Sequence, residues 1–489
     1  MPYPTASPRN RRENSDGPMS SNGMKSASFF GELMQTIAER GRRLLTVAPR
    51  QQSDRKRKST SELCELLLSS HGEASGTAIA RDIVARWETF DPAARLGFMT
   101  MLLDGFGPDE TRLEVAIDAY RGERTPRSLH ELHEAAEPRR QELIRRLNLA
   151  PNGVAALVSM REALLGMKAE QPALEAVDAD FAHLLGSWFN RGFLVLRPIN
   201  WNTPANILEK VIRYEAVHEI DSWDELRSRL APEDRRCFAF FHPQLVDDPL
   251  IFVEVALMRT TPSAISEVLE EGRELVPAEQ ATTAVFYSIS NCQIGLRGIS
   301  FGNFLIKQVV EELRRELPRL ETFVTLSPVP GFSEWLARER NTGASAVLDE
   351  DDRRRLDLLD DAQWSALPEK VETVRPAMMN AAAWYFLKVR NRHGKVADPV
   401  ARFHLGNGAR LVKINVLGDR SARAMSQACG LMVNYLYKPE DIEANHEAFA
   451  TRGEVATVPA LQRLVKGIEA RGARSNPVVP AEAPPAERP

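Results

Sequence analysis

Cysteine is scarce in this chain: its 489 residues include only four, Cys64, Cys237, Cys292 and Cys429, with no Cys-x-x-Cys spacing. A disulfide-stabilised secreted fold and a zinc ribbon are therefore excluded as the basis of the structure. We predict reduced, buried thiols. Cys429 precedes Gly430 and is a candidate nucleophile, but a free cysteine in an apolar stretch is more often a small core residue. No metal site is predicted, since ligand spacings such as His-Glu-x-x-His are also absent.

The chain also lacks an apolar run of the ~18 to 20 residues that span a bilayer, and its N-terminus lacks the order of a secretory signal. Lys and Arg number 63 against 67 Asp and Glu, a net charge of −4, so a nucleic-acid partner is not indicated. Hydrophobic residues make up 43% and charged residues 27%, as in ordinary globular proteins. We expect a cytoplasmic enzyme with more than one domain and no membrane partner.

Composition divides the chain into four regions. They are a disordered arm rich in Pro, Ser and Asn (1–28), a helical domain (29–190), an α/β domain (191–466) and a Pro-rich disordered tail (467–489). An Arg-rich amphipathic pattern begins at Phe29 and fits either a first helix or a mitochondrial presequence. Acidic Glu32 and Glu39 argue against the presequence.

Local signals support this order of helices before strands. Ser59 with Glu62 forms a capping box, and Asp91 followed by Pro92 reads as a cap and first turn. After residue 193, β-type runs alternate with helical patterns. These runs are 237–241, 251–257, 283–288, 323–326 and 411–416. The fold class predicted is an all-α N-terminal domain followed by an α/β domain.

A strand-like stretch at 282–290 leads through a turn containing glycine into an amphipathic helix that starts near Leu305 and ends at Pro318. Such a turn offers unpaired N–H groups to an anion, typically a phosphate. Neither the dinucleotide nor the P-loop spacing is present. Arg297-x-x-Ser300-x-Gly302 instead resembles the pyrophosphate loop of GCN5-related N-acetyltransferases. A plain strand-to-helix turn remains the alternative.

Two further residues are candidates for chemistry. Ser327 lies among apolar residues and two rigid prolines, where it could react or could merely cap the next helix. His404 precedes the turn Gly406-Asn407-Gly408, but His242 and His446 compete for the same role and spacing does not choose among them.

Four ordered blocks, YSISNCQIGLRGISFGNFLIK, ETFVTLSPVPGFSEWL, ARFHLGNGARL and CGLMVNYLY, resemble the malonyl-CoA decarboxylase family. The likeness runs from about residue 29 to 466 and is concentrated after residue 280. It implies a helical oligomerisation domain, a GCN5-related acetyltransferase-like catalytic domain, and a homodimer or homotetramer.

The resemblance also assigns residues. Ser327 and His404 become the catalytic pair, and Tyr437 is expected to line the acyl pocket. The coenzyme A phosphates are expected on a loop of seven residues: Arg297, Gly298, Ile299, Ser300, Phe301, Gly302 and Asn303. Some members carry an acidic residue where Ser300 stands, so no catalytic role is predicted for it.

The implied reaction is decarboxylation of malonyl-CoA to acetyl-CoA and CO₂. The thioester oxygen accepts the charge left by CO₂, so no cofactor is needed beyond the coenzyme A that the substrate carries. We expect hydrogen-bond donors to stabilise the enolate, His404 to protonate the α-carbon, and Ser327 to bind His404 or the carboxylate. The alternatives are an acyl-CoA-dependent acyltransferase and a non-catalytic acyl-CoA-binding regulator.

Overall fold

The structure is a computed structural model. It describes residue 55 and residues 57–69, 72–299, 305–343 and 345–475, so the predicted arm at 1–28 lies outside the described residues. The chain divides into two compact units, Met1–Gly153 and Val154–Pro489. Within the described ranges, no helix is long and apolar enough to cross a membrane.

The first unit is helical where it is described. Its helices are α1 (Thr60–Ser69), α2 (Glu73–Thr89), α3 (Pro92–Gly105), α4 (Glu110–Gly122), α5 (Pro126–Ala136) and α6 (Arg139–Leu147). The predicted capping box forms, with Ser59 N donating to Glu62 Oε2 at 2.6 Å and Glu62 N donating to Ser59 Oγ at 3.2 Å. Asp91 caps α3 as predicted, accepting from Ala94 N at 2.7 Å.

Two more helices precede the first strand, α7 (Gly153–Met167) and α8 (Glu175–Trp188). The switch from helices to strands thus falls near residue 190, where composition changes. From Val154 onward, however, both helices belong to the compact unit that carries the sheet.

The second unit contains one eight-stranded mixed sheet. Its strands are β1 (Val195–Ile199), β2 (Arg235–His242), β3 (Leu245–Met258), β4 (Thr283–Asn291), β5 (Thr322–Thr325), β6 (Ser327–Pro328), β7 (Arg410–Asn415) and β8 (Met432–Leu436). The order is β1-β2-β3-β4-β5-β8-β6, with β7 also paired to β8. The five predicted strands are confirmed, and so is the predicted fold class.

Eleven further helices occur in the described part of this unit. They are α9 (Ala205–Tyr214), α10 (Trp223–Leu230), α11 (Ser266–Leu269), α12 (Leu305–Glu316), α13 (Phe332–Asn341), α14 (Glu350–Leu356), α15 (Pro368–Leu387), α16 (Pro399–Gly406), α17 (Ala422–Ala428), α18 (Ile442–Arg452) and α19 (Pro459–Ser475). Helix α19 continues to Ser475, so the prediction of a disordered tail from residue 467 is wrong up to that residue. Residues 476–489 of the predicted tail lie outside the described residues. Ile468 is 2% exposed, so apolar packing extends α19 beyond the predicted end.

The centre of the sheet positions the site. Among the strands of the described sheet, β4 and β5 form the one parallel pair, and their pairing ends with Phe286 opposite Thr325. Beyond that point β4 pairs with β3, while the chain after β5 turns to pair with β8 as β6. A cleft therefore opens between β4 and β6. A bulge adds one extra residue to β4, Tyr287, at the mouth of this cleft.

Candidate active site

The cleft contains a small cavity of about 210 Å³, called here the inner cavity. Strand β4 lines one wall, β6 contributes Ser327 and Pro328, and α16 contributes its exposed edge. The remaining lining residues are Val217, Phe286, Tyr287, Ile289, Asn291, Pro399, Val400, Phe403 and His404. None of the described lining residues is Asp, Glu, Lys or Arg.

Ser327 lies in this cavity because it opens β6, where it pairs with Val433. Its hydroxyl donates to Thr325 Oγ1 at 2.8 Å and lies 3.1 Å from His404 Nε2. The alternative that Ser327 caps the next helix is wrong. That helix, α13, has Gly331 at its N-cap and no side-chain cap.

His404 lies in the last turn of α16 and is 3% exposed. The helix begins where Asp398 accepts from Ala401 N at 2.7 Å. It ends at the predicted turn, where Gly408 has φ +80° and an added Cβ would lie 2.1 Å from Ile442 O. Tyr435 stacks on the imidazole with 4.6 Å between ring centroids. These contacts fix the ring beside Ser327.

A chain of hydrogen bonds defines the imidazole tautomer. Ser327 donates to Thr325, so its oxygen is left to accept from His404 Nε2–H. On the other side of the ring, Tyr437 OH lies 2.8 Å from Nδ1. Since Nε2 carries the proton, Tyr437 is the donor to Nδ1. The Nε2–H group of His404 therefore faces Ser327, on the side of the inner cavity.

Burial also sets the charge of the site. It lowers the pKa of His404 to about 3, so the imidazole is neutral at physiological pH. Burial raises the pKa of Tyr437 well above its ordinary value, so the phenol stays protonated and remains a donor. It also raises the pKa of Asp398, at the start of the same helix, to about 7.

Tyr437 is not among the residues that line the inner cavity. It is 1% exposed and lies behind the imidazole, on the Nδ1 side. Its hydroxyl contacts His404 Nδ1 and its ring packs on Phe286, and the hydrogen bond points to a role in orienting the imidazole.

A second cavity of about 410 Å³, called here the outer cleft, adjoins the first. The two share Asn291 and Phe403. Arg297, Gly298 and Ile299, the described part of the predicted phosphate loop, line the outer cleft. The other predicted loop residues, Ser300, Phe301, Gly302 and Asn303, lie outside the described residues.

Helix α7 supports this loop through Arg161. The Arg161 guanidinium is buried and donates from Nη1 to Gly295 O at 2.7 Å and to Arg297 O at 2.9 Å. Its Nε donates to Asp178 of α8 at 2.8 Å. An added Cβ at Gly295 would lie 2.0 Å from Val158 O, so the loop packs directly on α7. These contacts account for the membership of α7 and α8 in the sheet-bearing unit.

Three residues of the site, Thr325, Tyr435 and Arg161, were not predicted from the sequence. Residues two apart on a strand share a face, so Thr325 could have been found from Ser327, and Tyr435 from Tyr437. No sequence signal marks Arg161, a lone cation in an apolar helix. The competing histidines are elsewhere, since His242 packs on Phe189 and His446 contacts Gly406 O.

The cysteines are free. Three are buried as predicted, but Cys429 is only half-buried and lies 3.2 Å from Ser333 Oγ. Burial raises the pKa of the Cys429 thiol, which disfavours the nucleophilic thiolate. This cysteine lines neither the inner cavity nor the outer cleft among their described residues.

Two family models match the chain. The model of the malonyl-CoA decarboxylase C-terminal domain matches residues 192–475, and the model of the N-terminal domain matches residues 106–189. Among curated proteins, mitochondrial malonyl-CoA decarboxylase of Anser anser anser is 36% identical over 336 residues, which are 64% of this chain and 66% of that protein. The matched segment thus spans about two thirds of the goose protein.

Solved structures match over a larger share. Malonyl-CoA decarboxylase from Agrobacterium vitis is 61% identical with a TM-score of 0.80, covering 83% of this chain and 100% of that one. The Rhodopseudomonas palustris structure of the same name is 57% identical, with the same coverage and a TM-score of 0.80.

Proposed function

Because this chain belongs to the malonyl-CoA decarboxylase family, we propose that it converts malonyl-CoA into acetyl-CoA and CO₂. The observation that carries the proposal is the pairing of Ser327 and His404, at 3.1 Å, on the wall of the inner cavity. The two residues are 77 positions apart in the chain and are brought together by β6 and α16.

The two joined cavities suit the two parts of an acyl-CoA. The outer cleft, with Arg297, takes the coenzyme, and the smaller inner cavity takes the malonyl group. Beyond Phe286, strand β4 pairs on one side only among the described residues, so its other edge is open to the amides of the pantetheine arm. The acyl group then reaches Ser327 and His404.

The chemistry starts with the malonyl carboxylate in a cavity whose described lining has no cation to pair with it. An ion pair would stabilise the carboxylate more than the transition state, in which its charge moves to the thioester. Breaking the bond between the carboxylate carbon and the α-carbon releases CO₂ and leaves an enolate. When substrate binds, the Ser327 O–H and the His404 Nε2–H turn away from the hydrogen bonds that they make in the empty site and donate to the enolate oxygen.

His404 then supplies the proton. It is neutral in the empty site, but a bound carboxylate next to the ring raises the pKa of the imidazole, so substrate and proton bind together. The imidazolium gives this proton to the α-carbon and returns to its neutral form. One proton is consumed for each CO₂ released. Tyr437 OH donates to Nδ1 of the neutral ring and accepts from Nδ1–H once the ring is an imidazolium, so Nδ1 stays hydrogen-bonded.

A covalent acyl-serine intermediate is disfavoured by the same hydrogen bonds. A nucleophilic serine must donate its proton to the histidine, whereas Ser327 donates to Thr325. The group behind His404 is the phenol of Tyr437 and not a carboxylate. We propose further that the reaction needs no metal or cofactor, which a chelator control tests directly.

The test is to incubate the purified protein with malonyl-CoA alone and to follow CO₂ and acetyl-CoA by mass spectrometry. We expect equal amounts of both, unchanged by a chelator and lost in Ser327→Ala and His404→Ala. His393→Ala is the matched control, since His393 is exposed and outside the inner cavity and the outer cleft. Unchanged malonyl-CoA in the wild-type reaction would refute the proposal.

The same experiment separates the alternatives. An acyltransferase would release free CoA only when an acceptor amine is added. A non-catalytic regulator would form neither product, although coenzyme A would still raise its melting temperature by binding the folded state.

We also propose a cytoplasmic homodimer or homotetramer, in keeping with the family resemblance of the helical region. Light scattering of the full chain tests the subunit number, and cell fractionation tests the location. A monomer or a membrane-enclosed fraction would contradict these two points without affecting the activity.

A further inference from the structure

A third cavity, of about 810 Å³, extends the path away from the inner cavity. It is called here the basic cleft and shares Gly298, Arg402, Phe403 and Gly406 with the outer cleft. Shared lining residues therefore place the outer cleft next to both the inner cavity and the basic cleft. A ligand with its reactive end at Ser327 that is long enough to follow these cavities would reach the basic cleft.

The basic cleft is named for its charge. Arg390, Lys395 and Arg402 line it, and Arg297 lines the adjoining outer cleft. No Asp or Glu is among the described residues that line either one. A groove of about 1130 Å³ elsewhere on this unit provides a contrast, because its three arginines are accompanied by four glutamates: Glu233, Glu279, Glu312 and Glu316. The basic cleft thus has an excess of positive charge that the other groove lacks.

A short hairpin presents two of these cations. It closes through Asn391 N donating to Lys395 O at 2.7 Å and Ala397 N donating to Val389 O at 3.2 Å. Arg402 fixes it to α16 by donating to Val396 O and Ala397 O, both at 2.7 Å. The backbone of the hairpin is therefore held in place before any ligand arrives.

The cations are not neutralised within the described structure. The side chain of Arg390 donates only to backbone oxygens, of Val389 and Leu387, both at 3.0 Å. Its pKa is lowered by partial burial, in keeping with a cation that has no carboxylate beside it. Among the described ion pairs, none involves Arg390, Lys395, Arg402 or Arg297. Such a group of fixed, uncompensated cations is suited to a multiply charged anion.

We propose that Arg390 and Lys395 form a phosphate subsite that takes the 3′-phosphate of coenzyme A. The inference rests on the proposed function, since that function identifies the ligand of the connected cavities. Coenzyme A has its acyl group at one end, a pyrophosphate in the middle and a 3′-phosphorylated adenosine at the other end. Its order of groups matches the order of the cavities, with the pyrophosphate near Arg297 and the 3′-phosphate at the hairpin.

The test compares coenzyme A with 3′-dephospho-coenzyme A by calorimetry at one fixed ionic strength, because salt screens these contacts. The wild-type protein is expected to bind coenzyme A about tenfold more tightly or better. Arg390→Ala and Lys395→Ala should each reduce this preference while leaving the affinity for the dephospho form unchanged. Arg392→Ala removes a cation from the same hairpin, but Arg392 does not line the basic cleft, so it should retain the preference.

Equal binding of the two ligands by the wild type overturns the subsite, and so does an unchanged preference in both hairpin variants. A variant that weakens both ligands equally also counts against it, because the lost contact is then not with the 3′-phosphate. Failure of the proposed function is distinct, since the wild type would then neither bind coenzyme A nor decarboxylate malonyl-CoA.

Discussion

The inner cavity and the basic cleft lie on either side of the outer cleft and differ in the charge of their lining residues. The described lining of the inner cavity carries no charged side chain, and its histidine is neutral because burial lowers its pKa to about 3. The described lining of the basic cleft includes Arg390, Lys395 and Arg402 and no carboxylate. The inner cavity is thus lined by uncharged side chains, and the basic cleft is lined in part by cations.

This difference separates binding from chemistry. In the proposed function, cations of the clefts bind the distant phosphates, and that binding energy brings the malonyl carboxylate into a cavity that has no described cation to pair with it. The uncharged cavity would then favour loss of CO₂, because the product enolate spreads the charge that the carboxylate concentrates. Substitutions in the cavity should therefore lower kcat, and substitutions that affect the clefts should raise KM.

The largest effect is expected at the catalytic pair itself. Ser327→Ala and His404→Ala should each lower kcat by about 10² to 10⁴-fold with little change in coenzyme A affinity, because both contact the reacting atoms. Since the two act as one unit through their 3.1 Å contact, the double variant should cost about as much as the worse single one. Steady-state kinetics of the four proteins checks this, and fully additive losses would contradict a shared role.

The sequence marked Ser327 and His404 as candidates, but local patterns did not predict that they form a pair. Strands such as β2 and β3 follow from their apolar runs, and the turn after His404 follows from its glycines. The pairing of Ser327 with His404 came from a family resemblance, because local spacing left the serine as either a reactive or a capping residue and did not choose among the histidines. It depends on how β6 and α16 meet, which is a property of the whole sheet.

Strand β8 shows how a buried polar residue can hide a strand from prediction by apolar pattern. Asn434 interrupts its apolar run, and 432–436 was not among the predicted strands. In the structure Asn434 is fully buried, because its amide donates to Thr325 O at 2.8 Å and accepts from Asn415 Nδ2 at 2.7 Å. Long-range partners of this kind, like those of Arg161, have no local signature.

A smaller loss is expected for Tyr437→Phe. The substitution removes the donor to His404 Nδ1 and leaves a buried nitrogen without a partner, which typically costs about 1 to 3 kcal/mol. We expect kcat to fall by about tenfold to a hundredfold, with KM for malonyl-CoA unchanged. Tyr385→Phe is the matched control, since Tyr385 is buried and lines neither the inner cavity nor the outer cleft. A rise in KM with normal kcat would instead assign Tyr437 to substrate binding.

A substitution at Arg161 tests the opposite case, in which substrate binding changes and the chemical step does not. Arg161→Lys keeps the charge next to Asp178 but cannot donate to both Gly295 O and Arg297 O in the same geometry. We expect KM and the dissociation constant of coenzyme A to rise about tenfold, the equivalent of one hydrogen bond, with kcat retained. Arg140→Lys, a buried arginine of the first unit, is the matched control. Loss of kcat alone would contradict a role in positioning the loop.

The smallest expected effect concerns pH and isolates the neutral state of His404. Its pKa is lowered from 6.5 to about 3 in the folded protein, so below pH 6.5 the unfolded chain binds a proton that the folded chain does not. This contribution to stability is complete above pH 6.5 and is lost as the pH falls, by about 1.4 kcal/mol per pH unit. Asp398 acts in the opposite direction: its pKa is raised to about 7, so its contribution is lost as the pH rises toward 7.

Comparison with His404→Gln removes the Asp398 contribution, because both proteins share that carboxyl group. Urea unfolding of the two proteins at pH 6.5 and pH 5.5 should show the wild type losing about 1 kcal/mol relative to the variant, because the unfolded imidazole is already half protonated at pH 6.5. A difference that does not change with pH would mean that His404 takes up its proton in the folded, empty site. The inner cavity would then hold a charge before substrate binds, and its contrast with the basic cleft would be one of degree only.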